Sequence, residues 1–257
     1  MNGRLTVLGS GTSMGVPTLG CGCKVCTSSN PRDNRTRPSV AIEYADHVVL
    51  IDTTPDFRAQ AIREKLERVD AILYTHAHAD HILGLDDVRP LSFRNVEKIP
   101  LYAYPDTARQ IRKSFSYIFE PDPDYTTLAR VELLPLNGEL ALFGAHFLPI
   151  KLLHGKAEIY GYRFGHAAYL TDFSEIPEDS LSQLRDLDIL FLDALRHRPH
   201  PTHSNVENSL RLVEQLRPKQ AFFTHISHDL GHEETNASLP PNVRLAYDGL
   251  KLEFEIY

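Results

Sequence analysis

The sequence predicts a layered α/β protein. Short apolar runs rich in Val, Ile, Leu, Phe and Tyr recur along the whole chain and are bounded by turn residues, as strands are. Stretches with readable helix starts are spread among them, which fits layered architecture and not a bundle or a pure sandwich. At 257 residues, the chain is long enough to bury a sizeable core.

In chain order, strands are expected at residues 5–10, 40–44, 47–52, 71–75, 101–104, 131–136, 147–153, 160–164, 167–171, 188–193, 220–224, 243–247 and 250–256. Ala45-Asp46 is the hairpin connection between the second and third. Three helix starts are legible. Thr54 caps a helix with Pro55 at its first position, running toward Arg68. Pro105-Asp106-Thr107 opens another through Phe119. Ser204 and Glu207 have capping-box spacing ahead of Leu210, Leu212, Val213 and Leu216, and Pro218 ends that helix.

Composition narrows the function classes. The chain holds 27 Lys+Arg and 34 Asp+Glu, a net charge of −7, which argues against nonspecific nucleic-acid binding. Hydrophobic and charged fractions of 42% and 24% exclude a largely disordered chain. No window carries the ~18 uncharged apolar residues of a membrane span. No export signature precedes the first strand, so a cytoplasmic protein is expected. The chain has 13 His but only 3 Cys, and all three Cys lie between residues 21 and 26. An odd number of thiols packed so closely is no disulfide framework and reads as metal ligands.

The strongest motif is Thr75-His76-Ala77-His78-Ala79-Asp80-His81, between the strand at 71–74 and the apolar helical start Ile82-Leu83-Gly84-Leu85. This H-x-H-x-D-H pattern sends four ligand-type side chains out of one tight turn. Imidazoles and carboxylates bind first-row divalent metals, and the pattern could serve two ions a few ångströms apart. One turn cannot complete two coordination shells. His154, Asp172 and His225 each follow an apolar strand, where open α/β sheets gather their chemistry, and are the further candidate donors.

With this order of ligands, the chain resembles the metallo-β-lactamase-fold hydrolases over nearly its whole length. Within them it is most similar to the PhnP-type cyclic phosphodiesterases. Leu8-Gly-Ser-Gly-Thr-Ser-Met-Gly-Val-Pro17 matches their glycine-rich first turn, and Cys21-Gly-Cys23-Lys-Val-Cys26 and Thr224-His225-Ile-Ser-His228 match their more distinctive motifs. The resemblance implies one domain over residues 1–257, a four-layer αββα sandwich with metals at one edge between two sheets. It implies one metal on His76, His78 and His154, a second on Asp80, His81 and His225, and Asp172 bridging them. The ions would be Mn or Zn, with Fe and Ni also accepted by such ligands. Two ions at +4 against two carboxylates and a bridging hydroxide leave a centre near +1. That suits a small anionic phosphodiester despite the acidic chain.

Three thiolates need a fourth donor for a closed zinc site. The resemblance points to His228, giving a structural zinc on Cys21, Cys23, Cys26 and His228. It also assigns His203, just ahead of a helix, as general acid for the leaving alkoxide, beside Asp80 and Asp172 in the catalytic set. The neighbouring His197 and His200 belong to a Pro-broken loop and take no role. Asp193, ending a strand, would orient a metal-bound His. Arg37, Arg89, Arg196 and Arg198 are candidate phosphate contacts among which the sequence does not choose. The substrate implied is phosphoribosyl 1,2-cyclic phosphate or a related cyclic phosphate. A homodimer is the default assembly.

Three other readings compete. A ribonuclease Z-like nuclease shares the metal motif, but no H-E-A-T-type segment and no long Gly/Pro-rich arm is present. A PqqB-like cofactor-biosynthesis protein shares the cysteine cluster, but the ligand set here is complete. A non-catalytic, zinc-stabilised binding module is the third, and the same complete set argues against it. Absence of an export signal argues against a true β-lactamase.

Overall fold

A computed structural model describes residues 1–121, 124 and 127–257. Its elements in order are β1 (Asn2–Gly9), β2 (Ser39–Tyr44), β3 (His47–Ile51), α1 (Phe57–Glu64), β4 (Ala71–Leu73), α2 (Ala79–Ile82), α3 (Arg89–Ser92), β5 (Ile99–Ala103), α4 (Pro105–Ser114) and α5 (Ser116–Phe119). There follow β6 (Val131–Pro135), β7 (Leu140–Leu142), β8 (Ala145–His154), β9 (Ala157–Phe164), β10 (Ala167–Leu170), α6 (Glu178–Leu181), β11 (Ile189–Asp193), α7 (Val206–Leu216), β12 (Gln220–Thr224), α8 (His232–Ser238), β13 (Val243–Leu245) and β14 (Lys251–Glu255).

The strands form two seven-stranded sheets, ordered β14-β1-β2-β3-β4-β5-β6 and β13-β12-β11-β10-β9-β8-β7. Period-2 alternation within single strands divides the core into three apolar layers. Val49 and Ile51 of β3 face the cluster between the sheets, while Val48 and Leu50 face the helices outside. Ala167 and Tyr169 of β10 face the same central cluster, while Ala168 and Leu170 face the opposite outer layer with Val213 of α7. The result is helices, sheet, sheet, helices, the four-layer α/β sandwich expected from the sequence.

The second and third strands meet as expected, with Tyr44 opposite His47. Ala45 and Asp46 both take positive φ, 46° and 60°, as a two-residue hairpin turn whose twist matches the strands requires. Helix boundaries differ from the reading of the sequence. Thr54 does not cap α1: its hydroxyl accepts from Asp56 N at 3.0 Å in a local turn, and the helix begins at Phe57. That helix stops at Glu64 because Lys65 turns left-handed. The helix expected through Phe119 is broken at Phe115 into α4 and α5. Asn205 caps α7, accepting from Asn208 N at 2.9 Å, while Ser204 bonds Ser209 Oγ at 2.7 Å. Strand β7 and helices α3, α6 and α8 have no counterpart in the sequence reading; all but α8 are four residues or shorter.

Strand ends converge at one edge between the sheets. His76 follows β4, His154 ends β8, Asp172 follows β10, Asp193 ends β11 and His225 follows β12. Asp52, Asp172 and His225 stand just past their strands with φ of 64°, 61° and 58°. A non-glycine residue held there costs about 1–3 kcal/mol, and such strain collects at functional sites.

Candidate metal centre

The segment from β4 into α2 delivers four side chains, His76 and His78 from the extended chain ahead of the helix and Asp80 and His81 from its first turn. Helix α2 ends at Ile82, and Gly84 N donates to Thr53 O at 3.0 Å, so close to the backbone before α1 that a Cβ there would sit 1.9 Å from Thr54 O. Among the described residues three sets of ligand atoms at this centre lie mutually within 4.8 Å: His76, His78 and Asp172; Asp80, His81, Asp172 and His225; and Asp172, Asp193, His203 and His225. Asp172 belongs to all three. Its Oδ2 lies 3.4 Å from His76 Nε2 and 3.3 Å from His81 Nε2, and its Oδ1 lies 2.6 Å from His225 Nε2. Asp80 Oδ2 is 3.3 Å from His81 Nε2 and 3.7 Å from His225 Nε2. His154 joins none of these sets by this distance. Its ring centroid is 5.1 Å from that of His78 and 5.8 Å from that of His76.

These residues fit divalent ions. Asp80 Oδ2, His81 Nε2, Asp172 Oδ1, His225 Nε2 and His154 Nδ1 are buried atoms without a hydrogen-bond partner. The first four are close together but misaligned for hydrogen bonds to one another. Buried polar atoms in proteins are as a rule paired, and here several unpaired lone pairs converge on shared space, which calls for a cation.

Other buried carboxylates hold the rings. Asp52, fully buried, accepts from Thr75 N at 2.8 Å and Thr75 Oγ1 at 2.7 Å, and from His81 Nδ1 at 2.7 Å. That bond fixes the His81 proton on Nδ1 and leaves Nε2 as the free lone pair. Asp193 does the same for His203, with Nδ1 to Oδ2 at 3.0 Å, and its other oxygen lies 4.0 Å from His225 Nδ1. The orienting role expected of Asp193 therefore falls chiefly on His203. The His203 ring stacks on His225 at 4.8 Å and meets His154 edge-on at 4.8 Å. Asp52 was not singled out from the sequence; its signal was placement directly after an apolar strand.

Charge state follows surroundings. Burial alone would lower His225, but the Asp172 carboxylate outweighs it and raises the ring to about 10. Burial likewise opposes the charge on Asp172, and His225 and His81 overcome it, holding the carboxyl well below its usual range. Burial lowers His76, assisted by the neighbouring His81, and lowers His78, assisted by His76. Burial, with His225 alongside, lowers His203 to about 4, and burial raises Asp193.

The cysteines gather as a second cluster. Cys21, Cys23 and Cys26 Sγ lie 3.2, 3.6 and 3.4 Å from His228 Nδ1. All four atoms are mutually within 4.8 Å, three sulfurs and one nitrogen that match a tetrahedral zinc set. Cys26 N donates to Cys23 Sγ, and chiefly this bond lowers the Cys23 thiol to about 7. The buried Arg35 guanidinium donates to Ser227 O at 2.9 Å and Leu230 O at 2.7 Å, fixing the segment between His225 and the cysteine loop.

A cavity of 910 Å³ opens on His76, His78 and His154 and runs between the start of α4 and the β8–β9 hairpin. None of Arg37, Arg89, Arg196 and Arg198 lines it. Arg37 pairs with Asp56 at 2.9 Å, and Arg198 lies 3.8 Å from Asp229. His197 pairs with Glu207 at 2.9 Å away from the centre, whereas the His200 ring lies 4.9 Å from His203.

Known proteins were compared with this architecture. A family model described as a β-lactamase superfamily domain matches residues 47–226. The octanoyltransferase of Porphyromonas gingivalis is 36% identical over 253 residues, which is 96% of this chain but 51% of that protein. The chain thus spans about half the length of this curated relative. A solved structure described as a new diphosphatase from the PhnP family is 59% identical, with a TM-score of 0.94, over 100% of this chain and 98% of the other. Zn²⁺-bound PqqB from Methylobacterium extorquens shares the fold at TM-score 0.78 and 19% identity, over 97% of this chain and 99% of the other.

Proposed function

The chain belongs to the β-lactamase superfamily as a PhnP-like hydrolase, and on that premise we propose that it is a dinuclear metal-dependent phosphodiesterase acting on small phosphate esters. The observation that carries the reading is the set of buried, unpartnered ligand atoms on Asp80, His81, Asp172 and His225, with His76 and His78 sharing Asp172. His76, His78 and His154 would hold one ion, Asp80, His81 and His225 the other, and Asp172 both. Bound there, the ions supply Lewis acidity toward phosphoryl oxygens and acidify a water for attack. Mn, Zn, Fe and Ni all accept these ligands. A zinc on Cys21, Cys23, Cys26 and His228 would serve structure alone.

The remaining chemistry lies with the chain. Asp52 holds His81 as the Nδ1–H tautomer. Asp193 anchors His203 through Nδ1 and so aims the other ring nitrogen, which must first take up a proton before it can pass one to the departing oxygen. The 59% identical relative is described as a diphosphatase, so phosphoanhydrides belong in the substrate panel beside cyclic ribose phosphates. Octanoyl transfer is not carried over, because the match covers only half of the protein so named.

The test uses metal-loaded protein with bis(p-nitrophenyl) phosphate, 2′,3′-cyclic nucleotides, a cyclic ribose phosphate, a dinucleoside diphosphate and pre-tRNA. Turnover of the small substrates supports the reading. Turnover of pre-tRNA alone overturns it in favour of a nuclease, and no turnover at all in favour of a binding module.

A further inference from the structure

The glycine-rich stretch after β1 joins the two sheets beside the metal centre. Gly11 and Ile226 form a parallel bridge: Ile226 N donates to Ser10 O at 2.9 Å, and Thr12 N donates to Ile226 O at 3.1 Å. Since β1 and β12 lie in different sheets, this bridge connects one sheet to the other. Gly11 N also donates to Thr36 O at 2.8 Å, and a Cβ on Gly11 would meet Arg35 O at 2.7 Å. Ile226 directly follows His225, whose φ of 58° is left-handed. Such a backbone persists only where its neighbours fix it, and Ser10 O is one of those neighbours.

One carboxylate gathers the donors of this stretch. Asp248, between β13 and β14, accepts on Oδ1 from Ser10 N at 3.0 Å and Ser10 Oγ at 2.9 Å. Its Oδ2 accepts from Thr36 N at 2.9 Å, Thr36 Oγ1 at 2.6 Å and Arg63 Nη1 at 3.2 Å. The turn that carries it is tied to both sheets, with Ala246 N donating to Phe223 O on β12 and Gly249 N to Val7 O on β1, each at 2.8 Å. Each carboxylate oxygen thus faces one backbone N–H, and an N–H can only donate. An amide in this place would set its own NH₂ against one of them whichever way it turned, so the place demands a carboxylate.

We propose that Asp248 is a positioning residue for the metal centre. Clamping Ser10 and Thr36 fixes Ser10 O. Ser10 O holds Ile226 N, and that sets the backbone from which His225 Nε2 comes within 2.6 Å of Asp172 Oδ1. Asp248 acts through Ser10 and Ile226, not on the ion. The inference rests on the reading of His225 as a metal ligand and adds a residue that the reading does not contain.

The test is Asp248→Asn, with metal affinity read by chelator competition under native mass spectrometry and the Ile226 amide followed by hydrogen exchange. Ile118→Ala, a cavity in the helix layer over the first sheet, is the control for general loss of stability. D248N should weaken one of the two ions about tenfold, the low end of what loss of an orienting partner does to a metal site, and its Ile226 amide should exchange faster than in I118A. I118A should melt lower yet hold both ions as wild type does. If D248N does not fold, Ser10→Ala removes one bond of the clamp and should weaken the same ion about threefold. Wild-type affinity in D248N, or in S10A where D248N does not fold, overturns the inference, as does an equal loss in I118A. Failure of the underlying reading looks different: His225→Ala would then keep both ions.

Discussion

Asp52→Asn separates the tautomer argument from simple loss of packing. Asn is isosteric with Asp and tolerates the left-handed backbone, φ 64°, that position 52 requires. Thr75 N donates to one carboxylate oxygen at 2.8 Å and can only donate, so the Asn carbonyl must face it. The Asn NH₂ then faces Thr75 Oγ1 and His81 Nδ1, where a carboxylate oxygen accepted at 2.7 Å. His81 can accept there only by moving its proton to Nε2. The proton would then point at Asp80 and Asp172, whose oxygens lie 3.3 Å away, and would occupy the lone pair assigned to the metal. Loss of such an orienting carboxylate weakens metal affinity about 10–100-fold, or about 1.4–2.8 kcal/mol. Chelator competition, with bound metal counted by mass spectrometry, should show this loss at one of the two ions, with Tm of the metal-free protein falling only a few degrees. Wild-type affinity in D52N would refute the tautomer argument.

Three further predictions come from separate parts of the molecule. His203→Ala should keep its metals and lose about 100-fold or more in kcat on alkyl phosphodiesters, but much less on nitrophenyl esters, whose leaving group needs no proton; equal losses count against the acid role. The C21S/C23S double variant should lose one tightly held zinc in native mass spectrometry and melt at a lower temperature, and retention of that zinc would refute the cluster. Burial, then the Arg35 guanidinium, lowers His232 to about 4, with Arg32 acting the same way and Glu233 and Asp33 opposing. The unfolded chain therefore takes up this proton first: the stabilisation is complete above the ordinary 6.5 and is lost as pH falls toward about 4. H232N should lose about 2 kcal/mol less stability than wild type over that interval in denaturant titrations, and identical acid profiles would contradict this.

What the sequence made legible was local or periodic. The H-x-H-x-D-H turn is a contiguous ligand set whose spacing states its chemistry, and apolar runs bounded by turn residues marked every strand of the four-layer fold except the three-residue β7. The partners that aim those ligands were less accessible. Asp52 lies 29 residues before the ring it orients, and its role exists only because β3 and β4 are parallel neighbours. The cap of α7 slipped from Ser204 to Asn205 because Ser209 offers the Ser204 hydroxyl a buried partner at 2.7 Å. Four arginines looked suited to phosphate, but Arg37 pairs with Asp56, which packing brings near, and Arg89 lies 3.8 Å from Asp86 three residues before it.

The most direct test of the central claim is metal stoichiometry of wild type and His78→Ala, by inductively coupled plasma mass spectrometry alongside phosphodiester turnover. The account predicts two ions at the centre of the wild type, beside the cysteine-bound zinc, and loss of one ion and of turnover in H78A. Full metal content with full activity in H78A would contradict it.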